Sequence, residues 1–482
     1  MTFTSLTFLI FFVMVFALYW SMRNRTAQNV LLVTASYVFY GWWDWRYCLL
    51  MVAASFLDFF VGLGLNKAEV PWKRRLLLIC GLSGNLGMLG FFKYFNFFAE
   101  NFQLLAGKLG WSVDDVTLNV VLPVGISFYT FQTMSYSIDI YRRKMRGTTH
   151  LLEYLSYVSF FPQLVAGPIE RATHLLPQFF KERIFSPTQA SDGAKQILWG
   201  LFKKMVIADN LAPIVDAAFS NASSYNGPEL ALATVFFAFQ IYCDFSGYSD
   251  LAIGIAKLLG FDLMRNFAYP YFSQSVGEFW RRWHISLSTW FKDYVYFPLG
   301  GSRVSRARMV FNVMVTFILS GLWHGASWNF LLWGALNGLG VLPDILRAKH
   351  AHRNPGDLPV EHPSVVAFGK VFVTFAFICL GWVFFRAATF DDALIILQRI
   401  GRSLGGGQSW GGLLAKHDPT DGRILILIGC FVAVEWWKRR YHHALVFEHW
   451  SRPARWLAYT ALFWLVIYLG TFGSSTFIYF QF

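Results

Sequence analysis

Apolar positions along this chain run in long tracts rather than in narrow stripes. The windows Phe3 to Trp20, Cys48 to Leu65, Leu76 to Phe92, Leu232 to Tyr242 with its continuation, and Ala367 to Phe385 reach or approach the roughly 18 apolar residues of a membrane-crossing helix. They are apolar on every face. Strands of a membrane barrel would instead alternate apolar and polar positions in segments of about ten residues. The pattern predicts an all-α, polytopic membrane protein with roughly 10–12 transmembrane helices. Re-entrant and amphipathic helices are expected beside them, around a central histidine.

Short basic clusters punctuate the tracts: Arg23 and Arg25, Lys73 to Arg75, Arg142 to Arg146, Arg303 to Arg308, Arg347 to Arg353, and Lys438 to Arg440. Taken as cytoplasmic loops, they give an alternating path with no violation. The first span ends at Arg23. Spans Asn29 to Trp43 and Arg46 to Leu65 form a hairpin returning to Lys73, and Leu76 to Phe98 leads out to a polar segment, Ala99 to Thr117. Leu118 to Ile140 returns to Arg142. Further on, Val365 to Phe385 leads to an outer segment, Arg386 to Gly422. Ile424 to Trp437 comes back to Lys438, and Trp456 to Phe472 leaves again. Both termini are then extracytoplasmic. The first tract lacks a basic leading region and a small-residue cleavage site, so it reads as a retained span rather than a signal peptide.

Between Leu151 and Gly227 the hydropathy is broken by Pro162, Pro168, Pro177, Pro187 and Pro213. Irregular backbone at membrane depth is tolerated only inside protein or along a cavity, so Tyr157 to Ile169 is expected to be re-entrant. Ile197, Leu198, Leu201, Phe202 and Met205 repeat at helical spacing, with Lys195, Lys203 and Lys204 off the stripe. That predicts an interfacial amphipathic helix. Phe272 to Leu299 reads as one helical pattern with Phe279, Trp283 and Trp290 on one side and Arg281, His284 and Ser288 on another.

Between Arg308 and Arg347 the chain enters and leaves on the cytoplasmic side. His324 lies about 16 residues in, roughly 24 Å along a helix. A helical hairpin with the histidine near its deep turn is the expected consequence. Gly334-Ala-Leu-Asn-Gly338 is a small-x-x-x-small pattern that lets the return helix approach a neighbour closely. With no solenoid repeat and no soluble segment of domain size, residues 1–482 are read as one integral membrane domain.

Composition agrees: 14% of residues are charged, well below the roughly 25% of soluble domains, while 55% are hydrophobic. A formal net charge of +13 raises nucleic acid as a partner. The confinement of the basic residues to short clusters between apolar tracts rejects it. The five cysteines are scattered singly with no C-x-x-C, so neither a disulfide framework nor a zinc site is indicated. No metal-binding set is expected.

The chain contains no G-x-S-x-G, H-E-x-x-H or G-x-x-x-x-G-K-[ST]. Three polar groupings remain. Leu322-Trp-His-Gly325 puts His324 in an apolar tract, where an ionisable residue is a functional candidate. A buried imidazole suits general-base removal of a hydroxyl proton, since its ordinary pKa is near neutral; packing against a neighbouring helix is the competing reading. Arg281-Arg-Trp-His284 offers a second imidazole, with arginines that suit phosphates or lipid headgroups. The third grouping comprises Asp58, Asp139, Asp244 and Asp250. Asp58 is expected to pair with Lys93, and Asp139 to lie near Arg142 and Arg143. Asp244 and Asp250, six apart, do not share a helix face and are read as structural first. His442, His443 and His449 follow a basic cluster and are expected to be solvated.

At these residues the chain resembles the membrane-bound O-acyltransferase family, in its alginate O-acetylation branch. The resembling blocks are Ala35-Ser-Tyr-Val-Phe-Tyr-Gly-Trp-Trp43, Leu122-Pro-Val-Gly-Ile-Ser-Phe-Tyr-Thr-Phe-Gln132 and Phe160-Phe-Pro-Gln-Leu-Val-Ala-Gly-Pro-Ile169. They continue with Tyr242-Cys-Asp-Phe-Ser-Gly-Tyr-Ser-Asp250, Glu278-Phe-Trp-Arg-Arg-Trp-His-Ile-Ser-Leu-Ser288 and Gly321-Leu-Trp-His-Gly-Ala-Ser-Trp-Asn-Phe330. They lie in order over residues 35–340, whereas the spans within 365–472 resemble the family only in hydropathy.

The resemblance implies acyl transfer to a hydroxyl, with His324 catalytic and His284 the second family histidine. Arg281, Arg282, Trp323, Asp244 and Asp250 are candidates for substrate binding. No bound cofactor is expected, and acetyl-CoA is the expected donor. Membrane lipid, periplasmic acetyltransferase partners and an exported polysaccharide such as alginate are the expected company, in a bacterial inner membrane. Acyl or D-alanyl transfer to a lipid or teichoic acid is the alternative within the class. A proton-coupled transporter is the alternative outside it.

Overall fold

A computed structural model describes residues 1–111, 117–118, 122–165, 167–347, 360–403, 405–406, 412–413, 422–447, 449–473 and 477–478. Their regular structure is helical throughout. Among the described residues, six helices are long and apolar enough to cross a membrane: Arg46–Lys67, Pro71–Lys108, Gly227–Leu258, Arg306–His324, Trp328–Leu346 and Val365–Arg386. Leu6–Ser21, Arg25–Gly41, Ile126–Tyr141 and Arg423–Lys438 are shorter, each reaching about 24–26 Å at 1.5 Å per residue. The protein is therefore an all-α, polytopic membrane protein. The chain falls into two compact units, Met1–Gly193 with Ile255–Met264, and Ala194–Gly254 with Arg265–Phe482.

In the first unit, Arg46–Lys67, Pro71–Leu89 and Ile126–Tyr141 pack on one another. At their centre Asp58, fully buried, accepts hydrogen bonds from Asn85 Nδ2 at 2.5 Å and from the Ser137 hydroxyl, in place of the expected pairing with Lys93. Asp139 pairs with Lys144 at 3.5 Å. The helix expected to stop at Phe98 runs on through a π-helical stretch, Gly90–Tyr94, to Lys108. Part of the Leu118 to Ile140 span and part of the outer segment lie outside the described residues, as does most of the Arg347 to Arg353 cluster.

The proline-broken segment shows how irregular backbone is kept inside. Leu151–Ser159 ends at Phe160, and a single turn, Phe161–Leu164, follows. The break leaves backbone groups without helical partners, and buried ones must be satisfied elsewhere. The Tyr157 carbonyl accepts from Gln132 Nε2 at 2.7 Å and Gln163 Nε2 at 3.0 Å, and the Phe161 N–H donates to Ser36 Oγ at 3.0 Å.

The second unit holds the helical hairpin anticipated around His324. Arg306–His324 and Trp328–Arg347 pack closely, with the turn at Gly325 to Ser327. The neighbour that the small-residue pattern admits is the hairpin's own first helix. A Cβ on Gly334 would run into the Phe317 carbonyl, and one on Gly338 would lie 3.0 Å from Met314 Sδ. Val365–Arg386 packs on the return helix, starting from a Ser364 cap whose hydroxyl accepts from the Ala367 N–H at 3.1 Å.

The stretch expected to be an amphipathic helix at an interface behaves otherwise. Phe202–Ala208 is π-helical, and Lys203 and Lys204 are 3% and 1% exposed. Helical spacing marked these lysines as a solvated face, but Asp209, Asp244 and Asp250 neutralise them inside. His443 likewise proves buried rather than solvated, accepting from the Leu445 N–H at 3.3 Å, while His442 and His449 are exposed.

Candidate active site

His324 is the last residue of its helix, 4% exposed, with the Gly325 N–H closing the final turn on Gly321. Its ring is edge-on to three others. The centroid distances are 5.0 Å to Trp323, 5.0 Å to Trp333 and 5.3 Å to Phe385. The rings come from both arms of the hairpin and from Val365–Arg386, so three helices fix one imidazole. Such a wall excludes water, and in a dry site a proton transfer or a developing charge interacts strongly with whatever faces it.

Trp323 joins the two histidines. Its centroid lies 5.0 Å from His324 and 6.1 Å from His284. Sequence spacing placed His284 on a continuous helix, and the structure corrects that. Val276–Arg282 ends with Trp283 extended, and His284 takes a left-handed backbone, φ 44° and ψ 55°, before Ile285–Phe291 resumes. A non-glycine residue there costs roughly 1–3 kcal/mol and persists only where neighbours over-determine it.

The neighbours are Asn266 to Ala268, which run alongside. The Ala268 N–H donates to the Arg282 carbonyl at 2.9 Å and the Ile285 N–H to the Asn266 carbonyl at 2.9 Å. His284, 1% exposed, stands with Phe245 edge-on at 4.5 Å and Asn266 Oδ1 3.2 Å from its Nδ1.

The remaining candidates separate from this pair. Arg282 is buried and committed to Glu278, with Nη2 at 2.9 Å, whereas Arg281 is exposed. Asp244 receives the Lys204 ammonium, which Asp209 also holds at 2.8 Å, and accepts from the Ile478 N–H at 2.8 Å. Asp250 pairs with Lys203 at 2.6 Å and accepts from Gln196 at 2.8 Å. Helix Gly227–Leu258 thus sends Phe245 and Ser249 toward His284's surroundings while the flanking aspartates turn to lysines.

A polar pocket borders this region, with Lys203, Asp250, Arg265, Asn266, Glu435 and His443 among its lining residues. In it Tyr242 donates to Glu435 at 2.9 Å. Sequence reasoning missed Asn266, Glu435 and the ring partners Trp333 and Phe385. The Glu278 to Arg282 pair alone had a local signal, its i,i+4 spacing.

Residues 142–385 match the membrane-bound O-acyltransferase family. The chain is 38% identical over 395 residues to a probable alginate O-acetylase of Azotobacter vinelandii, covering 82% of this chain and 76% of that protein. It is 38% identical to a peptidoglycan O-acetyltransferase of Helicobacter pylori, covering 78% and 74%. A teichoic acid D-alanyltransferase of Streptococcus thermophilus is 30% identical over 54% of this chain and 68% of its own length.

Proposed function

The chain belongs to the membrane-bound O-acyltransferase family, and on that premise we propose that it moves an acetyl group from a cytoplasmic thioester, acetyl-CoA, across the membrane for O-acetylation of an exported glycan. It is a multi-pass membrane O-acyltransferase. The near-equal identity to proteins named for alginate and for peptidoglycan favours neither polymer; what the two names share is a carbohydrate hydroxyl. The observation that carries the reading is His324 at the turn of a tightly packed hairpin, walled by rings from three helices.

In this reading His324 is the general base. The acceptor hydroxyl gives its proton to the imidazole as its oxygen attacks the thioester carbonyl. The tetrahedral oxyanion collapses, the C–S bond breaks, and the imidazolium returns the proton to the departing thiolate. A thioester already has a good leaving group, so no acyl-enzyme is required. The Trp323 indole N–H and backbone amides near Gly325 are the candidate oxyanion donors. Arg281 is the arginine left for donor phosphates, since Arg282 is occupied by Glu278. Asp244 and Asp250 support the site by holding the buried lysines. The enzyme sits in the bacterial inner membrane with both termini outside and works with periplasmic acetyltransferase partners.

Purified protein in lipid vesicles, given labelled acetyl-CoA with alginate or peptidoglycan fragments, tests the reading. Label should leave CoA and appear as alkali-labile ester, directly or after a periplasmic partner is added. The similarity to a D-alanyltransferase supports a second reading, which predicts label only from a D-alanyl carrier protein. Proton-driven solute flux without ester formation would overturn both.

A further inference from the structure

We infer that Asn266 is a positioning residue that clamps His284 in one tautomer, protonated on Nδ1, so that the ring's lone pair sits on Nε2. The inference rests on His284 taking part in the transfer proposed above, but the clamp itself is a matter of hydrogen-bond direction. Which end of a carboxamide is oxygen must be assigned from its partners, and here the partners decide. The Ser286 backbone N–H, which can only donate, points at Asn266 Oδ1 from 3.3 Å. The Ser286 hydroxyl lies 3.4 Å from His284 Nδ1 but closer, at 2.9 Å, to the same Asn266 oxygen, to which it donates. On the other end, Asn266 Nδ2 donates to Ser249 Oγ at 3.1 Å.

The oxygen so placed faces His284 Nδ1 at 3.2 Å. Two lone pairs at that distance repel, so the imidazole nitrogen must carry the proton. A histidine's tautomer is set by the partner of its other nitrogen, and a carboxamide oxygen does for His284 what a carboxylate or backbone carbonyl does elsewhere. The clamp is rigid because Asn266 is 1% exposed and its own carbonyl is tied to the Ile285 N–H at 2.9 Å. One residue therefore braces the left-handed turn at His284 and sets its tautomer.

Asn266 and Ser249 both line the polar pocket that holds Lys203, Asp250, Arg265 and Glu435. His284 is thereby coupled to that pocket through a neutral relay, which adds no charge beside the ring.

The direct test is the ¹⁵N spectrum of the full-length protein in lipid with labelled histidine, the His284 signals being assigned by their loss in His284→Gln. The expected result is a protonated Nδ1 and an unprotonated Nε2; the opposite tautomer overturns the inference, whether or not the protein transfers acetyl. In acetyl transfer, Asn266→Ala should lower kcat by on the order of tenfold or more with KM unchanged, as loss of an orienting partner does. Asn266→Asp retains an acceptor for Nδ1–H. It should recover part of that kcat, with the acidic limb of the pH profile moved to higher pH by the added carboxylate. Unchanged kcat in Asn266→Ala, or an Asn266→Asp variant with neither recovery nor a moved profile, would overturn the positioning role.

Discussion

Gly321 packs directly against the carbonyl of Phe330 across the His324 hairpin, so that a side-chain carbon at residue 321 has nowhere to go. The contact lies three residues from His324 and sets how closely the two arms approach at the turn. Gly321→Ala gains about 1 kcal/mol of helix propensity. It meets a backbone carbonyl, however, which unlike a flexible side chain cannot rotate away, and overpacking of that kind costs about 1–3 kcal/mol. The cost should win. Thermal unfolding in detergent is expected to shift down, with acetyl transfer falling as the arms spread and Trp333 parts from His324. An unchanged melting temperature would show that the arms move apart freely.

Removing the imidazole should separate chemistry from folding. His324→Ala leaves a small cavity walled by Trp323, Trp333 and Phe385, three large rings that keep the hairpin turn packed. Loss of a general base costs about 10²–10⁴ in rate. The variant is expected to express, to melt cooperatively and to lose ester formation by that factor. Transfer within twofold of wild type would remove His324 from the mechanism.

What was legible in advance follows from which forces are local. The hairpin with His324 buried at its turn could be read because basic clusters bound an apolar tract long enough for two helices, and charge at a membrane surface is a local signal. The break at Trp283 and His284 could not. Its residues fit a helix, and the turn is imposed by hydrogen bonds from Asn266 and Ala268, which no periodicity reveals. Lys203 and Lys204 escape the pattern for a related reason: spacing reports a polar face, but whether that face meets water or carboxylates depends on Asp244 and Asp250 of another helix as well as on nearby Asp209. The resemblance supplied roles for His324 and His284. It said nothing of the rings that wall the first or the amide that faces the second.

Those lysines give a prediction of their own. Lys204, 1% exposed, lies between Asp209 and Asp244, and Lys203 pairs with Asp250. Removing one partner of a buried pair strands the other, at about 3–5 kcal/mol. Lys204→Met strands two carboxylates and should destabilise the protein by at least that much, while Lys204→Met with Asp244→Asn should recover part of the loss. Unfolding midpoints of the single and double variants measure it, and additive losses would show that Lys204 and Asp244 are not coupled.

In the first unit, His174 should make stability depend on pH. Its Nδ1 is 2.8 Å from Glu170 and its Nε2 3.5 Å from Asp262. Hydrogen bonds to Asp262 first, and then to Glu170, push the imidazole up to about 10 from its ordinary value near 6.5. A group raised on folding binds its proton more tightly in the native state, so its contribution is complete below about pH 6.5 and disappears as pH rises through about 10. The imidazole is partly exposed, so solvent screens the pair and the amplitude is modest. Wild-type protein should melt above His174→Gln at pH 6, the gap closing steadily toward pH 10. A gap that stays constant over that interval would mean that His174 is not protonated between its two carboxylates.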